Sequence, residues 1–165
     1  MNKSIVALGI ESSCDDTAIG LVRLTYKEPV KKVSDISCAV IGSYIFDQKE
    51  LHNEYGGVVP EIAARAHSNN LKRCLQRALE QAEINLKDLH VICVTSGPGL
   101  IGGLLSGIMF AKGLAQGLNK PLLGINHLAA HCLSVKMVHS ISFPYLTLLA
   151  SGGHCQFLIV ENIDV

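Results

Sequence analysis

Short apolar runs alternate with polar or glycine-rich turns along this chain, a pattern that predicts a mixed α/β fold. Runs rich in aliphatic and aromatic residues predict strands at 5–10, 18–22, 36–46, 91–95, 122–125, 145–150 and 155–160. Apolar residues at helical spacing from Leu71 to Ala82 predict a helix that begins near Pro60. Two further helices are predicted, one from about Gly102 to Gly117 and one over 127–131.

The second predicted helix is rich in glycine, which disfavours a helix unless some contact requires it. Its glycines are Gly102, Gly103, Gly107, Gly113 and Gly117. Each interior glycine destabilises a helix by about 0.8–1 kcal/mol relative to alanine. The run therefore indicates that another backbone or a ligand approaches this helix, although close packing on a sheet explains it at least as well.

The order of the predicted elements indicates the fold class. Three strands are followed by helix, strand, helix, strand and helix, and residues 145–160 then repeat the opening strand–turn–strand pattern. A βββαβαβα unit followed by the first hairpin of a second unit is the layout of the actin-like, sugar-kinase-like ATPase (ASKHA) fold, which is ribonuclease H-like. We therefore expect a first lobe at 1–140 and only the opening hairpin of a second lobe at 141–165.

Composition narrows the class of protein only partly. With 165 residues, 48% hydrophobic and 17% charged, the chain can bury the core of a folded domain. Its 14 basic and 14 acidic residues balance, so bulk charge gives no argument for nucleic-acid binding. No uninterrupted apolar run reaches the roughly 18 residues of a membrane span. Six cysteines without a Cys-x-x-Cys pair predict buried thiols in a reducing compartment.

A pair of histidines, His127 and His131, directly follows a strand and Asn126. If Asn126 caps a helix, both imidazoles lie on one face, at the spacing with which two histidines can hold one metal ion. Surface or hydrogen-bonded histidines are the more common outcome of such a pair taken alone, and a metal ion needs further ligands. Residues 128–130 include no glutamate, so this helix lacks the general base of a zinc protease.

Three turns are candidates for binding phosphate or a polar substrate. Ser12–Thr17 contains Asp15 and Asp16, which could hold a cation or orient a nucleophile, or could simply stabilise a turn. Ser96–Gly99 follows a strand and precedes a helix, where open α/β sheets bind ligands, but it lacks the ending of a Walker motif. Ser151–His154 contains paired glycines that let a backbone approach an anion, as do many ordinary hairpin turns.

Taken in order, several stretches of the chain together resemble one family. They are Gly9–Thr17, Tyr55–Glu61, Ser96–Leu100, Lys112–His131 and Ser151–His154. These stretches resemble the tRNA N6-adenosine threonylcarbamoyltransferases (TsaD, formerly labelled O-sialoglycoprotein endopeptidase, Gcp). The resemblance extends over the whole chain.

The resemblance implies a transferase of tRNA processing, an acyltransferase that makes threonylcarbamoyladenosine. Family members transfer the threonylcarbamoyl group from threonylcarbamoyl-adenylate to N6 of adenosine 37 in tRNAs that read codons beginning with A. By resemblance, His127 and His131 bind an iron or zinc ion, and Asp15 lies near the reacting centre. The third protein ligand, an aspartate, is expected outside this chain. The implied substrate-binding stretch is Leu149, Ala150, Ser151, Gly152 and Gly153.

The family's implied partners are a TsaB-like paralogue and a TsaE-like ATPase, and its implied location is the cytoplasm or an organellar matrix, without membrane attachment. Family members are much longer than this chain, so we expect a fragment or one half of a split protein that is inactive alone. Cys132, Ala150 and Cys155 depart mildly from the family pattern. Two other functions stay open: a non-catalytic nucleotide-binding or scaffold paralogue, which would lack the histidine pair, and a metalloprotease.

Overall fold

The computed structural model describes residues 2–32, 35–150 and 155–163. Its strands are β1 (Asn2–Glu11), β2 (Asp16–Lys27), β3 (Ile36–Asp47), β4 (Val91–Gly97), β5 (Leu122–Asn126), β6 (Tyr145–Ala150) and β7 (Cys155–Val160). Its helices are α1 (Lys49–His52), α2 (Pro60–Ala82), α3 (Ile101–Leu118) and α4 (His127–Ser134). Short 3₁₀ turns lie at Asn53–Tyr55, Leu86–Asp88 and Val135–Met137. Contacts divide the chain into two units, residues 1–125 and 126–165, and each is described by itself.

The element order confirms the predicted βββαβαβα pattern followed by a hairpin. β2 continues to Lys27 rather than ending at Val22, because it stays paired with both β1 and β3 along nearly its whole length. The short helix α1 was not predicted, since a four-residue segment cannot display a helical period. The lobe boundary expected after residue 140 stays a prediction.

The first unit is built on a five-stranded sheet in the order β3-β2-β1-β4-β5. β1 pairs antiparallel with β2, β2 pairs antiparallel with β3, and β4 lies parallel to β1 on its other side. Because β1 and β4 are parallel neighbours, the turn after β1 and the Ser96–Gly99 stretch lie at the same edge of the sheet. This is the edge at which α/β sheets usually bind their ligands.

The core lies between one face of this sheet and helices α2 and α3. Val6, Leu8 and Ile10 of β1 are buried at every second position, as expected for a strand with one covered face. The predicted apolar stripe of α2 is buried from Leu71 to Ala78. The buried core residues are Val6, Leu8, Ile10, Ile19, Leu21, Leu71, Cys74, Leu75, Ala78, Leu89, Ile92, Val94, Ala111 and Ala115.

Helix α3 is the one helix among the described residues that is long and apolar enough to cross a membrane by length and composition, with a mean hydropathy of 1.2 over 18 residues. The search for uninterrupted apolar runs missed it, because Lys112 and several glycines interrupt the helix. In this fold α3 packs against β4 and α2. A helix that covers a sheet passes the same test, so the criterion alone is weak support for a membrane segment.

The second unit contains α4 and the predicted hairpin of β6 and β7, whose bounds confirm the prediction. Leu146 pairs with Ile159 and Leu148 with Phe157. These four side chains are exposed, at 65%, 71%, 56% and 71% of their surface respectively. Within the described residues, the hairpin therefore presents an apolar face to solvent, whereas Leu149 on the other face is buried.

All six cysteines lie within the described residues and are free thiols. The prediction that they are buried is correct for Cys74 and Cys132 and wrong for Cys14, Cys38 and Cys155, which are exposed. Cys14 is in the turn after β1, Cys38 is on the edge strand β3, and Cys155 begins β7. A side chain at a turn or on an edge strand can stay in solvent even when it is apolar. The spacing of the cysteines in the sequence does not show which of them occupy such positions.

Candidate functional site

The turn between β1 and β2, residues 12–15, is fixed to the beginning of α3. Ser12 and Ser13 in this turn are buried. Ser12 Oγ donates a hydrogen bond to the carbonyl oxygen of Gly103 at 2.9 Å. The N–H of Leu100 donates to the carbonyl oxygen of Ser13 at 2.7 Å. These contacts hold the turn, and with it Asp15, at the edge where α/β sheets usually bind ligands.

The glycines of α3 permit this approach. A Cβ atom on Gly103 would lie closer than 3.0 Å to the carbonyl oxygen of Ser12, and one on Gly107 would be equally close to Ser12 Oγ. Sequence analysis left open whether a backbone, a ligand or plain packing explains the glycines. At these two positions the approaching group is the turn after β1. Gly113 and Gly117 have open space where a Cβ atom would be.

His67 of α2 supports the turn after β1 through hydrogen bonds. Its side chain is fully buried. Nε2 lies 3.1 Å from the carbonyl oxygen of Cys14, and Nδ1 lies 2.8 Å from the hydroxyl of Thr17. Nε2–H therefore donates to the carbonyl and Nδ1 accepts from the hydroxyl, while Gln48 Nε2 donates to the same hydroxyl at 3.2 Å. Burial lowers the pKa of His67, so the imidazole is neutral and acts as a structural support.

Sequence analysis did not identify His67 as part of the support of this turn. A signal was present, because His67, Leu71 and Cys74 follow the helical spacing of the buried stripe of α2. A polar residue on a buried stripe needs hydrogen-bond partners. His67 finds them in the turn that carries the acidic residues.

The turn concentrates negative charge. Glu11 accepts hydrogen bonds from the Ser13 N–H and the Thr95 hydroxyl, which ties the end of β1 to β4. Asp16 opposes Asp47 across the β2–β3 pair. Burial raises the pKa of Asp16, and the carboxylates of Asp15 and Asp47 raise it further. The site therefore favours a cation or an N–H donor over an anion at these carboxylates.

Cys14 is poorly suited to act as a nucleophile in this turn. The pKa of Cys14 is raised to about 11 by partial burial of its thiol and by a hydrogen bond with Asp15. The residue as a whole is nevertheless exposed. The thiol is thus protonated near neutral pH, and the thiolate is the reactive form. Asp15, which is half-buried, is the better candidate for chemistry and also lines a cavity next to α1.

The histidine pair lies in the second unit, at the beginning of α4. Asn126 caps this helix as predicted, because its side-chain oxygen accepts from the N–H groups of Leu128 and Ala129 at 2.9 and 3.0 Å. The Nε2 atoms of His127 and His131 lie 3.2 Å apart. Two nitrogens bound to one tetrahedral zinc ion at about 2.0–2.1 Å would be about 3.3–3.4 Å apart. The geometry therefore fits two ligands of a single metal ion.

The predicted substrate-binding stretch is only partly within the described residues. Leu149 is buried and Ala150 ends β6, where it pairs with Cys155. Ser151, Gly152 and Gly153 lie outside the described residues. Asp15 belongs to the first unit, whereas the histidine pair and Leu149 belong to the second.

Comparisons with known proteins agree on one family. The family model of TsaD, tRNA N6-adenosine threonylcarbamoyltransferase, matches residues 39–165. A protein of that name from Cereibacter sphaeroides is 51% identical over 164 residues, which are 99% of this chain and 43% of that protein. One from Jannaschia sp. is 54% identical over 159 residues, which are 96% of this chain and 42% of that protein. The chain thus spans less than half the length of these relatives.

Among solved structures, YeaZ from Pseudomonas aeruginosa is similar in fold, with a TM-score of 0.56 and 15% identity, covering 98% of this chain and 69% of that one. An uncharacterized protein with similarity to peptidase YEAZ from Pseudomonas aeruginosa has a TM-score of 0.57 and 16% identity, and the match covers 93% of this chain and 63% of that one. Identities this low show a shared fold alone. With the family match, they confirm the predicted actin-like, ribonuclease H-like fold class.

Proposed function

We propose that this chain, which belongs to the tRNA N6-adenosine threonylcarbamoyltransferase family, forms the first lobe and the opening hairpin of the second lobe of a tRNA-modifying enzyme. The reaction would transfer the threonylcarbamoyl group of threonylcarbamoyl-adenylate to N6 of adenosine 37 in tRNAs that read codons beginning with A. The observation that carries the proposal is the family match over residues 39–165, a range that includes His127 and His131, whose Nε2 atoms lie 3.2 Å apart.

In this proposal His127 and His131 hold one iron or zinc ion, and an aspartate outside this chain is the third protein ligand. Among the described residues, no group of three His, Cys, Asp or Glu side chains is arranged to hold a metal ion. The pair alone would therefore bind metal weakly. When bound, the ion would neutralise phosphate charge and polarise the carbamoyl carbonyl.

Asp15 is proposed to act on the adenine amine. That amine is a weak nucleophile, because its lone pair is delocalised into the ring, and it must lose a proton as it attacks the carbamoyl carbon. A carboxylate within hydrogen-bond reach can orient the N–H group and accept the proton. The new bond joins N6 to the carbamoyl carbon, the bond from that carbon to the phosphate oxygen breaks, and AMP leaves.

The remaining roles concern binding. The stretch from Leu149 to Gly153 would hold the donor, because paired glycines can let a backbone approach a phosphate. The chain's net charge is zero, so a basic surface for tRNA would come from a local patch on this chain or from partner proteins. We propose a TsaB-like paralogue and a TsaE-like ATPase as these partners, in the cytoplasm or an organellar matrix.

The direct test is a transfer assay. Purified chain, a polypeptide that supplies the second lobe, the two partners, metal ion, threonylcarbamoyl-adenylate and unmodified tRNA are combined, and modified adenosine is measured by mass spectrometry. Asp15→Asn should lower kcat by about 10²–10⁴-fold. The matched control Glu80→Gln, in an exposed ion pair with Arg77, should be unchanged. The chain without the second lobe should be inactive, and robust turnover by it alone would contradict that expectation.

Metal binding is tested separately. After dialysis against iron or zinc, the chain should retain metal at well below one equivalent, and His127→Ala or His131→Ala should abolish what remains. His139→Ala removes an exposed histidine outside α4 and is the control. Unchanged metal content in the double variant of His127 and His131 would reject these ligands.

The two other functions can be separated from the transferase. A non-catalytic paralogue would be expected to lack the histidine pair that this chain has. A metalloprotease of the zincin type would need a glutamate in α4, and residues 127–134 contain none. We therefore expect no cleavage of casein or glycoproteins with any added metal, whereas cleavage that disappears in His127→Ala would favour the protease.

A further inference from the structure

A cavity of about 350 Å³ lies beside the turn after β1 and within the first unit. It is formed by α1, the 3₁₀ turn that follows it and the glycine pair before α2. Its lining residues are Asp15, Lys49, His52, Asn53, Gly56, Gly57 and Val58. This volume is at the small end of the range of ligand-binding cavities. Sequence analysis recognised the Tyr55–Glu61 stretch only as part of a family pattern and gave it no role.

His52 is the residue that points to a ligand. It is only 5% exposed, although it lies in a short surface helix. Its Nδ1 accepts a hydrogen bond from the N–H of Val59 at 3.3 Å. The proton is therefore on Nε2, and this donor is buried without a hydrogen-bond partner among the described residues. An unsatisfied buried donor destabilises a protein by about 1–3 kcal/mol, so an acceptor is expected there.

The backbone near the cavity is also arranged to leave space. Gly56 has a φ of 68°, in the left-handed region that favours glycine, and its N–H closes the turn onto the carbonyl oxygen of Asn53. A Cβ atom on Gly56 or Gly57 would meet nothing within 4 Å. The wall at these positions is therefore main chain that a ligand can approach closely.

The charges around the cavity define the chemical class of ligand. Lys49 and the His52 N–H are donors suited to a carboxylate, Asp15 is an acceptor suited to an N–H or hydroxyl group, and Val58 offers an apolar contact. We propose that this cavity binds the threonyl end of the donor, with its carboxylate toward Lys49 and His52 and its carbamate N–H or hydroxyl toward Asp15. This deepens the proposed function and rests on it for the identity of the ligand. In this orientation the negative charge of the ligand carboxylate is next to the ammonium group of Lys49 rather than next to the carboxylate of Asp15.

The proposal agrees with the connectivity of the donor. In threonylcarbamoyl-adenylate only the threonyl nitrogen separates the carbamoyl carbon from the carbon that bears the carboxylate. A residue beside the reacting carbon must therefore also be near the threonyl end. Asp15, the proposed proton acceptor, is the residue that lines the cavity from the turn after β1.

The test uses N-carbamoyl-L-threonine as a probe, with its primary amide as the matched ligand that lacks the carboxylate. Binding to the chain is followed by nuclear magnetic resonance, with the imidazole nitrogen signals of His52 as the direct readout. A probe of this size is expected to bind with a Kd of about 1 mM. The amide should bind at least about 5-fold more weakly, because it loses the charge-assisted hydrogen bonds.

Variants of the lining residues separate a carboxylate site from a cavity that holds water only. Lys49→Met should weaken binding by about 2- to 5-fold, and Lys72→Met, an exposed lysine of α2, should not. His52→Phe should weaken binding by about 3- to 10-fold. If His52→Phe does not fold, Lys49→Met and the His52 signals of the unmodified chain still decide. Equal binding of probe and amide, no change in the His52 signals at saturation, or no effect of Lys49→Met would overturn the proposal.

This proposal and the proposed function fail in different ways. If the transfer assay succeeds and Lys49→Met leaves the KM of the donor unchanged, the cavity does not bind the threonyl end although the enzyme is a transferase. If the probe binds with the expected dependence on Lys49 and no transfer to tRNA is found, the cavity assignment holds and the transferase proposal fails.

Discussion

Alanine substitution of two glycines in one helix, α3, should have opposite effects. Gly103 and Gly113 are both helical, but they face different surroundings. A methyl group on Gly103 would lie closer than 3.0 Å to the carbonyl oxygen of Ser12 and 3.2 Å from the ring of His67. A methyl group on Gly113 would meet nothing within 4 Å. The two variants thus make the same chemical change, and only one of them displaces the turn after β1.

The expected magnitudes follow from these surroundings. Gly113→Ala should gain about 0.8–1 kcal/mol from the higher helix propensity of alanine. Gly103→Ala has the same gain, but it overpacks a buried contact at about 1–3 kcal/mol. It also displaces the Ser12 hydroxyl from the Gly103 carbonyl, a loss of about 1–3 kcal/mol. We therefore expect a net destabilisation by Gly103→Ala of about 1–5 kcal/mol.

Urea unfolding followed by circular dichroism measures both changes, and thermal unfolding provides a second reading. For a chain of this size each kcal/mol changes the Tm by about 2–4 °C. Gly107→Ala provides a specific control, because its methyl group would contact Ser12 Oγ rather than the main chain. Ser12→Ala should therefore relieve much of the destabilisation by Gly107→Ala and little of that by Gly103→Ala. If Gly103→Ala is as stable as Gly113→Ala, the close approach of the turn is refuted.

Three further predictions concern acid stability, helix capping and association. Burial lowers the pKa of His67 below its unfolded value, so the unfolded chain binds more protons and the free energy of unfolding should fall as the pH drops below about 6.5. In urea titrations at several pH values, His67→Gln should make the free energy of unfolding depend less on pH, whereas His139→Gln should not. An equal pH dependence in both variants would count against a buried neutral imidazole. Asn126→Ala should destabilise α4 by about 0.5–2 kcal/mol, seen as faster hydrogen exchange of the two capped amides, whereas Asn126→Asp should retain protection. Polar substitution of the paired Leu148 and Phe157 with threonine should reduce concentration-dependent association in analytical ultracentrifugation, and unchanged association would exclude the apolar hairpin face as its cause.

The fold could be predicted from the sequence because its main elements are long and regular. The alternating apolar residues of β1 and the stripe of α2 each report a buried face, and their order indicates the topology. The length of β2 and the presence of α1 could not be predicted in the same way. Pairing with two neighbours extends β2 past its apolar residues, and α1 is shorter than the period that would reveal it.

The candidate site was predictable only where local sequence determines local geometry. Asn126 and the two histidines after it form one such case, because a cap and a four-residue spacing fix both imidazoles on one helix face. The support under the acidic turn is the opposite case. His67, Gln48 and Thr17 are separated by tens of residues, and only the tertiary fold shows that they form one hydrogen-bonded group.

The neutral state of His67 has a consequence for the chemistry of the turn. Glu11, Asp15 and Asp16 each favour a charged imidazole, but burial has the larger effect and lowers the pKa of His67. A charged imidazole would neutralise part of the negative charge of these three carboxylates. Because the imidazole of His67 is neutral, the negative charge of the carboxylates stays available to a ligand that approaches from solvent. Asp15 can therefore act as an acceptor for an amine or carbamate N–H, which is the role that both the proposed transfer reaction and the proposed cavity site require of it.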